Sequence, residues 1–456
     1  MPYNDTTGKE VLQDELQDIG KKGEVIVSDD RFDAIIVGAG LAGSTAALTL
    51  AKAGMEVLVI ERGNWAGAKN VSGGRLYGHA LEKILPGFAE EAPIERKITK
   101  ERISLLSETA GTTIEYADES FRKPETASYS VLRSKFDKWL AEKAEAEGAM
   151  FVTGIHADEM IVKDGKVCGV KCGEEEMEAD VVILADGVNS PLAQSLGMKK
   201  ELAQAETAVG VKEVIGLEEK VIRDRFGLTE NEGCAWMMAG YPSDGGIGGM
   251  CLYTNKESLS LALVLTTSYI GQSELSVPQL FERAKAHPVV APLIEGGKLL
   301  EYSAHLVTEG GYNMIPTLYK DGVLLAGDAA NMVINIAYTV RGMDFAIESG
   351  RLAAETVIKA KEKGDFSAST LSAYKQMLDN SFVLRDMQFH AKAPKLMEHK
   401  EIFTKYPQMA QEIFSEMYTI DGNPRRHLLK FAKPALKKAG GIFKLARIGL
   451  DANKAI

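Results

Sequence analysis

The feature that most constrains this chain is a glycine-rich turn between two short apolar runs, within residues 32–61. The turn reads GAGLAG, with glycines at 38, 40 and 43, and an Ala/Leu-rich stretch of helical character follows it. The second apolar run ends on Glu61, 23 residues after Gly38. A strand, a glycine turn, a helix, a second strand and a terminal acid form the dinucleotide-binding fingerprint in its required context. The sequence therefore predicts a nucleotide-binding α/β unit here.

Each glycine of the turn has a predicted role. Gly38 permits the tight turn, Gly40 lets the backbone approach a pyrophosphate, and Gly43 lets the helix pack close to the sheet. The helix start, at Leu41 and Ala42, offers unpaired amides and a positive dipole end to the phosphates.

The acid that closes the fingerprint is predicted to hold a sugar. Glu61 would accept hydrogen bonds from a ribose diol. The adjacent Arg62 is included in the predicted site.

Two later strand ends indicate which dinucleotide binds. Asp186-Gly187 follows one buried strand, and Gly327-Asp328-Ala329 follows another. Both would lie at the carboxyl edge of a parallel sheet, where ligands bind in open α/β folds. A carboxylate accepts hydroxyl hydrogen bonds, and the ribityl chain of FAD carries hydroxyls in a row, whereas NAD has no ribityl chain. We therefore predict FAD; the alternative for Gly327-Asp328 is a helix N-cap alone.

Two helix starts are also assigned to the cofactor. Arg133 opens an amphipathic helix and is predicted to bind the pyrophosphate, the alternative being an exposed helix arginine. Arg341, Gly342 and Met343 precede another helix, whose free amides would stabilise negative charge on a reduced flavin. The alternative there is a loop that simply leads into the helix.

Composition and charge narrow the class of protein. The chain has 456 residues, 45% hydrophobic and 26% charged, as in ordinary globular proteins of two or three structural units. No apolar run reaches the roughly 18 residues that span a bilayer, and the first 30 residues lack a signal-peptide core, so we expect a cytoplasmic location. The net charge of −11 argues against a nucleic-acid partner.

Cysteine and histidine spacing argues against a metal centre. The cysteines, at 168, 172, 234 and 251, form no CxxC pair and no ferredoxin-type run. The seven histidines show no metal-ligand spacing. We expect reduced thiols and no metal.

The pattern along the chain predicts the α/β class, with a discontinuous Rossmann-type FAD-binding domain, an inserted antiparallel β-rich domain and a helical C-terminal region. The predicted boundaries are 1–30 for an N-terminal extension, 31–110, 130–200 and 306–365 for the FAD-binding domain, 111–129 and 201–305 for a β-rich substrate or quinone domain, and 366–456 for the helical, basic C-terminal region.

Several motifs resemble a known family. They are GAGLAG (38–43), SVLRSKFDKWL (130–140), ADG (185–187), GDAA (327–330), GAKNVSGGRLYGHALEKILPGF (67–88), EYSAHLVTEGGYNMIP (301–316) and VRGMDFAIESG (340–350). Together they resemble the geranylgeranyl-reductase-like flavoproteins, and more specifically the FixC-type relatives of electron-transfer-flavoprotein:quinone oxidoreductase. The resemblance spans nearly all of residues 30–456.

The resemblance implies a flavin subunit that takes electrons from electron transfer flavoprotein subunits and delivers them towards a membrane quinone. Longer family members carry a fused iron–sulfur module, whose cysteine run is missing here, so a separate small ferredoxin-like iron–sulfur partner is implied. By analogy, residues 68–74 line the isoalloxazine ring, which adds Lys69, Asn70, Val71 and Gly73 to the predicted site. Asn331 stands where many relatives have glycine, which we expect to alter backbone approach beside the flavin.

The C-terminal tail has a charge opposite to that of the rest of the chain. From residue 423 onward there are nine Lys and Arg against a single acid, Asp451. Apolar residues within 442–450 form a stripe beside Lys444 and Arg447, which is typical of a helix that lies on an anionic membrane surface. The alternatives are a solvated helix face and a contact with an acidic partner subunit.

Two other functions share the predicted cofactor residues. One is an FAD-dependent reductase or monooxygenase of a small or prenyl substrate. The other is an electron-relay subunit without its own substrate pocket. No Ser/His/Asp or Cys/His nucleophile arrangement is indicated, and the flavin carries the redox chemistry in each case.

Overall fold

A computed structural model describes residues 31–70, 73–309 and 311–456 of the chain. The extension predicted at residues 1–30 and the predicted site residue Val71 lie outside the described residues.

The strands, in chain order, are β1 (Phe32–Val37), β2 (Val57–Glu61), β3 (Gly74–Tyr77), β4 (Ile94–Leu106), β5 (Gly111–Ala117), β6 (Ser128–Val131), β7 (Met150–Thr153), β8 (Glu159–Lys163), β9 (Lys166–Cys172), β10 (Glu175–Leu184), β11 (Thr207–Gly216), β12 (Glu232–Gly240), β13 (Gly248–Thr254), β14 (Ser258–Thr266), β15 (Lys298–Thr308), β16 (Tyr319–Lys320), β17 (Val323–Leu325), β18 (Ile334–Asn335) and β19 (Val340–Arg341).

The α-helices are α1 (Leu41–Lys52), α2 (Arg133–Ala146), α3 (Pro191–Ser195), α4 (Glu219–Phe226), α5 (Val277–Lys285), α6 (Ala291–Ile294), α7 (Met343–Lys363), α8 (Ala368–Leu371), α9 (Ala373–Asn380), α10 (Phe382–Phe389), α11 (Ala393–Met397), α12 (Lys405–Tyr418), α13 (Leu428–Lys438) and α14 (Gly441–Ala455).

The first sheet is built around parallel strands in the order β17-β10-β1-β2-β7, with β16 antiparallel at one edge and β8 and β9 attached to β10. Its central strands are apolar and buried; β2 is buried at every position. A parallel sheet is covered by other elements on both faces, so its strands are apolar at nearly every position. Helices α1 and α7 pack together, because Gly350 leaves room where a Cβ would lie 2.2 Å from the carbonyl oxygen of Ala42.

The second sheet has the order β15-β11-β14-β13-β12-β4-β6-β3, with β5 on β4. Its pairs are antiparallel except for β12 and β4, which run parallel. The described segments therefore combine a nucleotide-binding α/β half, a β-rich half and helices, as the predicted α/β class requires, and the fold class is confirmed.

The structure places three strands differently from the predicted domain boundaries. Those boundaries put residues 31–110 and 130–200 in the FAD-binding domain, whereas β3, β4 and β6 belong to the second sheet. The reason is visible in β4, IERKITKERISLL, which carries many charged side chains. A strand with so many charges is not suited to the centre of a parallel sheet buried on both faces.

The C-terminal helices form a small apolar cluster of their own. Leu396, Tyr406 and Ile448 are buried in it, and Leu105 of β4 packs against it. Within the described segments, no helix is both long and apolar enough to cross a membrane.

Candidate cofactor site and adjoining cavity

A cavity lies where the carboxyl ends of β1, β10 and β17 face the second sheet. Of the predicted site residues, those that line it are Gly40, Leu41, Ala42, Asn70, Gly73, Arg133, Gly187, Asp328, Gly342 and Met343. Residues far apart in the chain thus meet at one sheet edge, where ligands bind in open α/β folds.

The glycine turn is built so tightly that side chains cannot replace its hydrogens. Gly38 has a φ of +102°, and a Cβ there would lie 2.4 Å from the carbonyl oxygen of Ala185. A Cβ on Gly43 would lie 1.9 Å from the carbonyl oxygen of Gly38. Gly40 differs, because its Cβ position faces the cavity and has only the Asn70 amide nitrogen nearby, at 4.0 Å. Space at Gly40 lets a ligand approach the first amides of α1.

The Glu61 carboxylate is buried beneath the turn and is bound to backbone. It accepts hydrogen bonds from the Ala39 amide at 2.9 Å and the Gly63 amide at 2.6 Å. Glu61 therefore shapes the turn, and its remaining lone pairs are what a ribose would use. Arg62 and Lys69 are exposed and do not line the cavity.

Arg133 is held in place by a carboxylate on its own helix. Its Nε and Nη2 donate to the two carboxylate oxygens of Asp137 at 2.6 and 2.7 Å, and the Asn70 side chain donates to the same carboxylate. Asp137 is fully buried. This arrangement fixes the guanidinium at the cavity wall with donors left for an anion.

The Asp186 carboxylate has one oxygen without a partner. Its Oδ1 accepts from the Ser190 hydroxyl at 2.6 Å, whereas Oδ2 is buried and has no hydrogen-bond partner among the described residues. Burial raises the pKa of Asp186 to about 6. A buried acceptor without a donor is costly, so this oxygen is suited to a ligand hydroxyl.

The second aspartate turn, in the short 3-10 helix Gly327–Ala330, abuts α1. Gly327 has a φ of +63°, and a Cβ there would lie 2.9 Å from the Cβ of Ala42. Burial raises the pKa of the Asp328 carboxyl, which lines the cavity.

Lys199 holds the two aspartate turns together. Its ammonium donates to the Val188 carbonyl at 2.7 Å and to the Ala329 carbonyl at 3.0 Å. Burial lowers the pKa of Lys199 to about 8. The relative position of the two turns therefore depends on a lysine that the sequence pattern did not single out.

Of the three residues predicted at 341–343 to contact the flavin, two line the cavity and one does not. Gly342 and Met343 line the cavity at the start of α7, but Arg341 does not. Its guanidinium binds Asp344 at 2.5 Å and Asp386 of α10 at 2.5 Å. Arg341 thus joins the start of α7 to the C-terminal helices.

Asn331, for which a change in backbone approach was expected, has a left-handed backbone conformation of the kind that glycine adopts readily. Its φ is +55°, in the left-handed region that asparagine tolerates better than most side chains. Its Nδ2 donates to the Met314 carbonyl at 2.8 Å. Side-chain bonding of this kind offsets part of the cost of the conformation.

These residues fit FAD. The space above Gly40 and the fixed guanidinium of Arg133 supply a phosphate approach and a counter-charge in the cavity. The unpartnered oxygen of Asp186, whose chain neighbours Ala185 and Gly187 line the cavity, supplies a hydroxyl acceptor beside it.

The cavity continues beyond this site into an apolar chamber. The second sheet contributes Met237, Ile247 and Val264, and the C-terminal region contributes Met397, Ile402 and Phe403. Deep apolar clefts with a few polar groups are typical of small-molecule sites.

Besides Lys199, several polar residues of the site were missed or left without a role by the sequence analysis, among them Asp137, Lys212 and His305. Asp137 stands four residues after Arg133, a helical spacing that signals an ion pair. Lys212 and His305 line the cavity from β11 and β15, and no local pattern marks them.

The fold and the site define an FAD-dependent oxidoreductase. The FAD binding domain family matches residues 31–377, and the ETF-QO/FixC family C-terminal domain matches residues 393–456. The chain belongs to the ETF-QO/FixC family.

Close relatives cover almost the whole chain. The "Probable electron transfer flavoprotein-quinone oxidoreductase YdiS" of Escherichia coli (strain K12) is 53% identical over 430 residues, 94% of this chain and 100% of the relative. "Protein FixC" of Salmonella typhi is 52% identical over 428 residues, 93% of this chain and 99% of the relative. The predicted family, FAD and oxidoreductase class are confirmed.

Solved structures agree on the fold. A geranylgeranyl bacteriochlorophyll reductase-like protein from Thermoplasma acidophilum has a TM-score of 0.70 at 22% identity, covering 94% of this chain and 100% of that one. The flavin-dependent brominase Bmp2 has a TM-score of 0.63 at 18% identity, covering 93% and 100%.

Proposed function

We propose that this protein accepts electrons from an electron transfer flavoprotein and passes them through its FAD to a membrane quinone. The observation that carries the proposal is the apolar chamber that opens from the cofactor site. An isoprenoid quinone has a polar head and an apolar tail, and one continuous cavity with a polar end and an apolar end suits both parts.

In this proposal, different residues bind different parts of FAD. The α1 amides and Arg133 bind the pyrophosphate, Glu61 the ribose, and Asp186 and Asp328 the ribityl hydroxyls. When bound, FAD accepts and releases electrons.

Glu309 is placed to handle protons at the chamber. It lines the cavity on the segment after β15, and burial raises the pKa of its carboxyl to about 7. A carboxyl that titrates near neutral pH both holds and releases a proton there. Reduction of a quinone by two electrons takes up two protons, and we assign Glu309 to deliver one of them.

We propose that the C-terminal tail rests on the cytoplasmic face of the membrane. Ile442 and Phe443 are 66% and 89% exposed, and Leu450 is 62% exposed, all on α14. Lys444 and Arg447 lie on the same helix. Apolar side chains beside basic ones favour an anionic lipid surface.

We also propose a small ferredoxin-like iron–sulfur protein as a partner. The support is the family resemblance and the distribution of the four cysteines, which lie on β9, β12 and β13 with no ligand group for a metal among the described residues.

The test is an anaerobic half-reaction assay of the full chain. Electron transfer flavoprotein reduces the bound FAD, and a short-chain quinone analogue then reoxidises it. Ile402→Trp, which fills the chamber, should raise the KM for the quinone at least about ten-fold with the flavin spectrum unchanged, while Ile270→Trp, at a partly exposed position outside the cavity lining, should not. Reoxidation by NAD(P)⁺ or oxygen with an aromatic substrate, but not by quinone, would replace this function with a reductase or monooxygenase.

Membrane contact is tested separately by vesicle sedimentation. Replacing Ile442 and Phe443 by serine should weaken binding to anionic vesicles at least about ten-fold, since each buried apolar side chain contributes about 1.5–3 kcal/mol. Leu299→Ser, at an exposed apolar position on β15, is the matched control. Equal binding by all three proteins would disprove the contact.

A further inference from the structure

Lys212 is a half-buried lysine that forms no ion pair within the described part of the chain. It lies on β11, and its ammonium lines the cavity and donates to the carbonyl of Gly73. Among the described residues, Glu301 acts on this ammonium only as a longer-range opposite charge and makes no ion pair with it. By contrast, Arg133 at the same cavity is neutralised by Asp137. A buried charge without a partner is costly, which suggests that a ligand supplies the missing negative charge.

Sheet register places this ammonium on the face that meets the cofactor. Lys212 is directly opposite Ala262 on β14, which is directly opposite Cys251 on β13. Residues in such a row point to the same face of the sheet. Gly210, two residues from Lys212 on that face, pairs with His305. Small residues therefore leave a hollow on the sheet face, with Lys212, Cys251 and His305 around it.

The hydrogen bond from Lys212 to the Gly73 carbonyl ties the lysine to the cofactor segment. Gly73 belongs to residues 68–74, proposed to line the isoalloxazine ring, and its φ of +78° and the nearby Ser260 hydroxyl keep it a glycine. A Cβ on Gly73 would lie 2.2 Å from the Ser260 oxygen. Ser260 packs against the Gly73 backbone, and the Lys212 ammonium is hydrogen-bonded to the carbonyl of that residue.

Burial lowers the pKa of Lys212, and the nearby Cys251 opposes that shift. The ammonium is therefore more easily neutralised than a surface lysine. A negative charge in the cavity would restore its preference for the protonated form.

We propose that Lys212 sets the redox potential of the bound FAD by providing a positive charge for the reduced ring. When FAD takes up two electrons with one proton, the ring gains one net negative charge. An ammonium fixed at the cavity binds that form more tightly than the oxidised form, which raises the midpoint potential. This rests on the FAD site proposed above and is independent of the identity of donor and quinone.

The test compares the affinities of the full-length protein for oxidised and reduced FAD, together with the midpoint potential measured by dye-coupled titration. Lys212→Met should weaken binding of reduced FAD relative to oxidised FAD by about ten-fold, which lowers a two-electron midpoint potential by about 30 mV. Lys212→Arg, which keeps the charge, should retain most of the wild-type potential. Lys298→Met removes the same charge from an exposed position on β15 and should leave the potential unchanged.

Lys212→Gln covers the case in which the methionine variant does not fold, because glutamine can still donate to the Gly73 carbonyl. The same drop in potential with Lys212→Gln supports an effect of charge. A wild-type potential in either neutral variant overturns the proposal, even if quinone reduction is impaired. A drop in potential without any quinone activity upholds the role of Lys212 and refutes only the quinone proposal.

Discussion

Replacing Asp186 by asparagine should raise the stability of the cofactor-free protein and weaken its binding of FAD. In the absence of FAD the carboxyl is buried with one unpartnered oxygen, and its pKa is raised from 3.8 to about 6. Below pH 3.8 the carboxyl is protonated in both the folded and unfolded chain. As pH rises from about 4 to 6, only the unfolded chain ionises freely, so the free energy of unfolding falls. At about 1.4 kcal/mol per pKa unit, the loss approaches ~3 kcal/mol by pH 8.

Asp186→Asn removes this loss. At pH 8 the cofactor-free variant should be more stable than wild type by about 1–3 kcal/mol, the lower figure allowing for a weaker bond to Ser190. At pH 5, midway between the unfolded pKa of 3.8 and the folded pKa of about 6, the difference should be about half as large. FAD binding should change the other way, because bonds from ribityl hydroxyls to a charged acceptor contribute about 1.5–3 kcal/mol, or roughly 10- to 150-fold in Kd.

Two assays check this pair of effects. Urea denaturation of the cofactor-free protein at pH 5 and 8 measures stability, and quenching of flavin fluorescence measures Kd. Asp164→Asn, at an exposed hairpin turn with a φ of +51°, is the matched control and should change neither. If the variant is less stable than wild type at pH 8, or binds FAD equally well, the assignment of Asp186 is wrong.

The remaining predictions concern the turn, the proton and the α7 junction. Gly38→Ala should yield colourless protein, with its affinity for FAD lowered at least about 100-fold. Gly54→Ala is the control, because Gly54 also has a positive φ, +75°, but no atom lies within 4 Å of its Cβ position. This variant should lose only about 1–3 kcal/mol of stability from backbone strain and stay yellow. Glu309→Gln should lower kcat with quinone. In the wild type the rate should fall above about pH 7 as Glu309 loses its proton, and this fall should be absent from the variant. An unchanged pH profile would exclude Glu309 as the proton donor. Arg341→Ala leaves the buried Asp344 carboxylate with only the His79 ring, 3.8 Å away, so thermal unfolding should show a loss of about 3–5 kcal/mol with FAD affinity within ten-fold of wild type. Loss of FAD without loss of stability would contradict this account.

Local pattern was enough to predict the nucleotide-binding half. The turn at Gly38 and the aspartate turn that follows β10 depend on sequence-local rules, in which strand, turn and helix follow one another and the glycines are sterically required. The helix that opens at Arg133 begins at that residue in the structure.

The second sheet and the residues that it contributes to the cavity depend on contacts between segments far apart in the chain, which no local sequence pattern records. Lys212 meets Cys251 only because β11, β14 and β13 pair in one register. Strand β4 joins the second sheet by a parallel pair with β12, more than 120 residues later in the chain. Sheet membership of that kind is decided by tertiary packing, so the division into domains and the assignment of individual site residues stay predictions.

The discontinuity of the nucleotide-binding half has a consequence for biosynthesis. Strands β1 and β17 flank β10 although they are separated by about two thirds of the described chain, and Met397 and Phe403 line the chamber later still. High contact order of this kind slows folding, because chain entropy is lost before the distant pairings are made. The ribosome must therefore synthesise the chain beyond Phe403 before the pocket is complete, so capture of the cofactor follows the folding of segments far apart in the chain.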